Sequence, residues 1–198
     1  MPRGVAAVDP FGIYNRVQAS SSLYSGNNIR CAATDGTNNL WTAGAPNGTY
    51  YLNPAASPVN VQTNTEDNSL YVKIVNGNLC FSSQKGTIGL YGFSGGGLPK
   101  TPGASNLLFA TGSSSSPEGF DLSPSQTLAY VADTCGSAGS IQKWTNDGTA
   151  WSLAYLLRPV RTWTMRKETI FESLSVGGLQ GRSGPGRAAL GERHPRDL

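Results

Sequence analysis

The 198-residue chain is 38% hydrophobic and only 14% charged, with 25 Gly, 12 Pro and a formal net charge of +3. No apolar run approaches the roughly 18 residues of a membrane-spanning helix, and Asp9, Pro10 and Gly12 interrupt "MPRGVAAVDPFGIYNRV" before the apolar core of a signal peptide can form. Residues 1–157 hold seven Lys or Arg against eight Asp or Glu and residues 158–198 hold eight against four, so the body has no basic stripe for a nucleic-acid backbone.

In chain order, "GVAAV", the turn "DPFG" and "IYNRV" predict two strands, the last pair of a repeating unit. Three longer segments then overlay: "NIRCAATDGTNNLWTAGAPNGTYYL", "YVKIVNGNLCFSSQKGTIGLYGF" and "GFDLSPSQTLAYVADTCGSAGSIQKW". Each predicts a strand, a turn (Asp35-Gly36, Asn76-Gly77, Pro124-Ser125), a second strand led by Leu40, Leu79 or Leu128, a Gly-containing turn and a third strand. The leading leucines recur after 39 and 49 residues, which suits four short strands with their turns. The last unit is the clearest, with strands over about 118–122, 127–132, 140–145 and 151–157. A repeat of this period and pattern predicts an all-β chain of four-stranded antiparallel blades, part of a β-propeller.

"FDLSPSQTLAYVAD" followed by "GSIQKW" resembles the blade motif of the YVTN and NHL-like propellers. "YSGNNIRCAATDGTNNLWTAG" with "GSIQKWTNDGTAWSLAYLL" is similar to a family of uncharacterised, mostly secreted or cell-surface propeller proteins that carry "SGNNIR" and "GIQKW" signatures. The resemblance covers about residues 4–157 and implies the fold and an extracellular setting; it brings no biochemical activity. Rings of that family have about six or seven blades against about three and a half here. An incomplete ring leaves apolar faces and a strand edge open, so the terminal blades are expected to self-associate.

The writing changes after Leu157. Fourteen Asn precede it and none follow, and "QGRSGPGRAALGERHPRDL" has neither period-two alternation nor many large apolar residues. Residues 158–198 are therefore expected to be a basic, irregular tail, with one or two helical turns over 165–174. An out-of-frame or unspliced extension of an interrupted coding sequence is favoured over a tail that binds an anionic partner, since its cations are scattered.

Residues 1–157 contain no His, so no Ser–His–Asp nucleophile–base–acid set can be assembled there. "GFSGGGLP" reads as a loop between strands, with no Lys-Ser/Thr after it to make a phosphate cradle. Cys31, Cys80 and Cys135 are odd in number and widely spaced, which suits small buried thiols, leaves a disulfide between two of them open and disfavours zinc. Most acidic residues sit in turn sequences, and no cofactor or metal is implied. The polar residues flanked by apolar neighbours on the first strand of each unit, Arg30, Lys73 and Asp121, are the candidates for a channel-facing ligand row. Trp41, Trp144 and Trp151 with the tyrosines suit inter-blade packing better than a carbohydrate platform. Asn47-Gly48-Thr49 is a glycosylation sequon if the chain is secreted from a eukaryotic cell.

These residues lead to the expectation of a non-catalytic extracellular binding or scaffolding module for a protein or glycan, with no nucleic-acid or membrane partner. The alternatives are a lactonase- or hydrolase-like propeller with a metal at the channel mouth, and a non-functional remnant of a disrupted gene.

Overall fold

Asp9 shows how the first hairpin is made. Its Oδ1 accepts the backbone N–H groups of Phe11 (2.9 Å) and Ile13 (2.8 Å), so the side chain itself holds the turn. The flanking strands, β1 (Arg3–Val8) and β2 (Tyr14–Ser20), pair antiparallel. The computed structural model describes residues 2–134 and 139–158 and, for residues 15–17, the backbone alone. The chain divides into units of Met1–Pro159 and Val160–Leu198, and the described residues belong to the first. Cys135, the expected helical turns over 165–174 and the basic tail beyond Arg158 lie outside them.

Three four-stranded meanders follow. Blade I comprises β3 (Ile29–Thr34), β4 (Leu40–Gly44), β5 (Tyr50–Leu52) and β6 (Val59–Asn60). Blade II comprises β7 (Ser69–Val75), β8 (Asn78–Ser83), β9 (Gly89–Phe93) and β10 (Ser105–Ala110). Blade III comprises β11 (Pro117–Leu122), β12 (Leu128–Asp133), β13 (Ser140–Asn146) and β14 (Trp151–Leu157). Every sheet is antiparallel with strands in sequence order, and the described residues contain no helix. The all-β, blade-type architecture expected from the repeat is therefore the one observed. Asn47-Gly48 and Asn76-Gly77 both turn through positive φ at each residue, the conformation these pairs tolerate best.

A shared register underlies the three blades. The first strand of each carries a bulge at the same place, between Ile29 and Cys31, Ser69 and Tyr71, and Pro117 and Gly119. Just beyond each second strand the same backbone bond closes the pair: Ala45 N–H to Asn28 O (3.1 Å), Gln84 to Asn68 (3.0 Å) and Thr134 to Ser116 (3.1 Å). Aligned on the bulge, Leu40 and Leu79 correspond to Ala129, not to Leu128. Leu40, Leu79 and Ala129 face the element before their blade, packing with Val5, with Trp41 and with Val75 respectively. Leu128 lies one residue earlier and points the other way, because a single step in a strand reverses the face.

Each interface has its own core. Val5 of the first hairpin and Tyr24, from the segment after it, pack against Leu40 and Leu52 of blade I. Trp41, Tyr51 and Val61 of blade I meet Val72, Leu79, Phe81 and Tyr91 of blade II. Val75, Leu90 and Phe109 of blade II meet Phe120, Val131 and Trp144 of blade III. Burying each such large side chain stabilises by roughly 1.5–3 kcal/mol, so the blades hold one another together more than any holds itself. Beyond blade III, Tyr130, Ile141, Tyr155 and Leu157 remain exposed. Tyr130 occupies the position that Trp41 and Cys80 fill in the earlier blades, where they are 0% and 2% exposed; Tyr130 is 38% exposed.

Candidate functional site

The first strands lie side by side, β3 against β7 and β7 against β11, which brings Arg30, Lys73 and Asp121 onto neighbouring strands. Lys73 Nζ donates to Asp121 Oδ1 at 2.6 Å, an ion pair between blades II and III whose side chains are 36% and 67% exposed. Arg30 is not part of that pair. Its Nη1 donates to Asn68 Oδ1 (2.8 Å) and Ser69 O (3.0 Å), joining blade I to the start of blade II. The bulge explains the separation: Arg30 is the extra residue, level with Leu70 and Glu118, while Ala33 holds the level of Lys73 and Asp121. The three charges thus bridge adjacent blades in two separate contacts. An exposed pair of this kind is worth up to about 1 kcal/mol.

The other acidic side chains also have local tasks. Burial alone would raise the Asp35 pKa slightly, but hydrogen bonds from Thr37 and Asn39 outweigh it and hold the carboxyl below the usual range. The backbone N–H groups of Ala150 and Thr149 lower that of Asp147 in the same way. Asp67 pairs with Lys85 at 2.6 Å. Asp133, 2% exposed, accepts from Ser115 Oγ and Ser116 N–H (both 2.8 Å) and from Gln142 Nε2 (2.6 Å). Gln142 Oε1 in turn accepts from Trp144 Nε1 at 2.8 Å. Among the described residues no three His, Cys, Asp or Glu side chains come together to hold a metal ion.

Cys31 and Cys80 are free thiols. Burial raises the pKa of both, that of Cys80 to about 11, so neither is a ready thiolate. Asn47 is exposed at its turn and donates to Tyr50 Oη (3.3 Å), while Thr49 of the same sequon is fully buried.

A surface cleft of about 220 Å³ that sequence reasoning missed opens between blade II and the β11–β12 turn. Asn78, Asn106 and Gln126 supply its polar lining and Leu108 its apolar side chain; Leu79 and Phe93 border it, but their side chains belong to the core facing blade I. Its floor crosses three strands through Cys80, Gly92 and Asn106, which are register partners. The one sequence signal was a glycine in the interior of a strand, which marks a place where something else can approach the sheet.

No protein-family model matches the chain, and no curated protein matches it.

Proposed function

We propose that this blade-built chain belongs to a non-catalytic binding or scaffolding module that works outside the cell. The observation that supports the reading is how the blades use their side chains. Their faces pack on one another, their inner-strand charges join neighbouring blades, and their turns are rich in Asn, Ser, Thr and Gly, with the turn carboxylates of Asp35 and Asp147 engaged by local hydrogen bonds. Such a surface suits recognition of another molecule by shape and hydrogen bonding. The motifs "FDLSPSQTLAYVAD" and "GSIQKW", which span β11–β12 and β13, are the reason to place the blades within the YVTN and NHL-like class.

The test is binding of the full chain to arrays of extracellular proteins and glycans, run beside assays with ester and lactone substrates. Saturable binding without turnover is the expected outcome. Hydrolysis of an ester or lactone that copurifies with the chain and is lost on removing divalent metal would overturn the reading in favour of a propeller hydrolase.

A further inference from the structure

We infer that the cleft between blade II and the β11–β12 turn binds one neutral, hydroxyl-rich ring, the size and chemistry of a single sugar residue. The cleft shares no lining residue with the Arg30, Lys73 and Asp121 contacts, so it is a site separate from them.

Its existence follows from one missing side chain. Gly92 sits between Cys80 and Asn106 in the middle of β9, with an ordinary strand φ. A Cβ built there would meet only Leu108 Cδ2, at 3.7 Å, so neither the backbone nor packing requires glycine. The space is left open by sequence and not by strain. Leu108 is itself the extra residue of a bulge between Leu107 and Phe109, and its side chain forms the apolar side of the opening.

The lining selects the ligand. No charged side chain borders the cleft, which disfavours phosphates, carboxylates and cations. Its polar groups are carboxamides, which donate and accept as hydroxyl groups do. Asn78 is partly committed, with Oδ1 accepting from Gly97 N–H (2.6 Å) and Nδ2 donating to Asn76 O (3.1 Å). Asn106 Oδ1 accepts from Ser94 Oγ (3.0 Å), but its Nδ2 donates to no described group, and the Gln126 carboxamide is engaged with none. Gln126 is held at φ +54°, uncommon for this residue type, which fixes where its side chain starts. Unspent donors and an acceptor beside the apolar Leu108 side chain match the alternating hydroxyl edges and C–H faces of a sugar ring. The volume corresponds to about seven water molecules, which suits one ring within the cleft.

The test titrates the full chain with a panel of neutral methyl glycosides (glucose, galactose, mannose and N-acetylglucosamine) and follows the side-chain NH2 resonances of Asn78, Asn106 and Gln126 by NMR. At least one glycoside is expected to shift them with millimolar affinity. Gly92→Val fills the floor and should weaken binding about tenfold or more. Gln126→Gly relieves the positive φ while removing the carboxamide, so it keeps the fold and should weaken binding about threefold to tenfold. Glycans immobilised through their reducing ends distinguish a terminal sugar from a free one: retained binding assigns the former, and binding of free glycosides alone the latter. Absence of shifts with every glycoside overturns the inference, as do shifts that Gln126→Gly leaves unchanged. Neither result bears on array binding by another surface, so the two readings fail separately.

Discussion

Replacing Asp133 by alanine removes one buried acceptor from three donors at once. Ser115 Oγ, Ser116 N–H and Gln142 Nε2 all converge on its carboxylate, and Gln142 passes the constraint on to Trp144. An unsatisfied buried donor costs about 1–3 kcal/mol, which for three donors would give a total well above what a mutant realises. Three effects reduce it: the carboxylate no longer has to be desolvated, the Ser115 hydroxyl can rotate, and Gln142 Nε2 keeps its bond to Thr111 O at 3.2 Å. A net loss of about 3 kcal/mol is expected. With a urea m-value of about 2 kcal/mol/M, the unfolding midpoint should fall by about 1.5 M. Trp144 belongs to the network, so fluorescence reports on the affected blade. Asp133→Asn keeps an acceptor for Ser116 but faces an NH2 group against Gln142, and should fall between the two. A double-mutant cycle with Gln142→Ala should show coupling above about 1 kcal/mol. A midpoint within about 0.3 M of wild type for Asp133→Ala would mean that the network does not hold blade III, and the reasoning would fail.

Gly44→Ala places a Cβ 2.4 Å from Asn28 O and 2.6 Å from the Tyr24 ring, so it should cost about 2 kcal/mol or more in urea unfolding, whereas Gly92→Val should cost much less. Lys73→Ala and Asp121→Ala should each cost under about 1 kcal/mol, with a coupling that fades in high salt; a coupling above about 2 kcal/mol would contradict the exposed geometry. The lowered Asp35 and Asp147 pKa values stabilise the fold above the unfolded aspartate value of about 3.9, and that contribution disappears as pH falls through the lower folded values. The urea midpoint should therefore be flat near neutrality and drop below about pH 4, a drop that Asp147→Asn should reduce. Tyr130, Ile141, Tyr155 and Leu157 continue the apolar faces that blades I and II bury, so sedimentation should show concentration-dependent association between copies; Ile141→Glu should abolish it, and an unchanged profile would refute that interface.

Most of the architecture was legible because its signals are local. The strands expected over 118–122, 127–132, 140–145 and 151–157 are observed as Pro117–Leu122, Leu128–Asp133, Ser140–Asn146 and Trp151–Leu157. Asn-Gly turns and alternating apolar residues need only their immediate neighbours to act. Face and level were harder. Leu128 matched Leu40 and Leu79 by residue type, yet the strand entered from the Ser123–Thr127 turn is offset by one residue, so Ala129 occupies the inward position. Arg30 aligned with Lys73 and Asp121 in a linear overlay because a bulge inserts a residue without changing composition.

The same distinction separates the residues that drew attention in the sequence from those that define the cleft. A charged residue between two apolar ones is conspicuous, but in a stack of blades it can reach the next strand, and Lys73, Asp121 and Arg30 all find partners there. What those contacts supply is alignment between blades. Carboxamides are inconspicuous in a chain with fourteen Asn, and most of them close turns or cross-link neighbouring strands. Asn106 and Gln126 differ in having hydrogen-bonding capacity left over beside a gap, and that gap depends on a glycine whose backbone conformation does not require it. Unspent polar capacity next to unfilled space is the combination that a ligand can use, and it becomes visible only after register has set β8, β9 and β10 side by side.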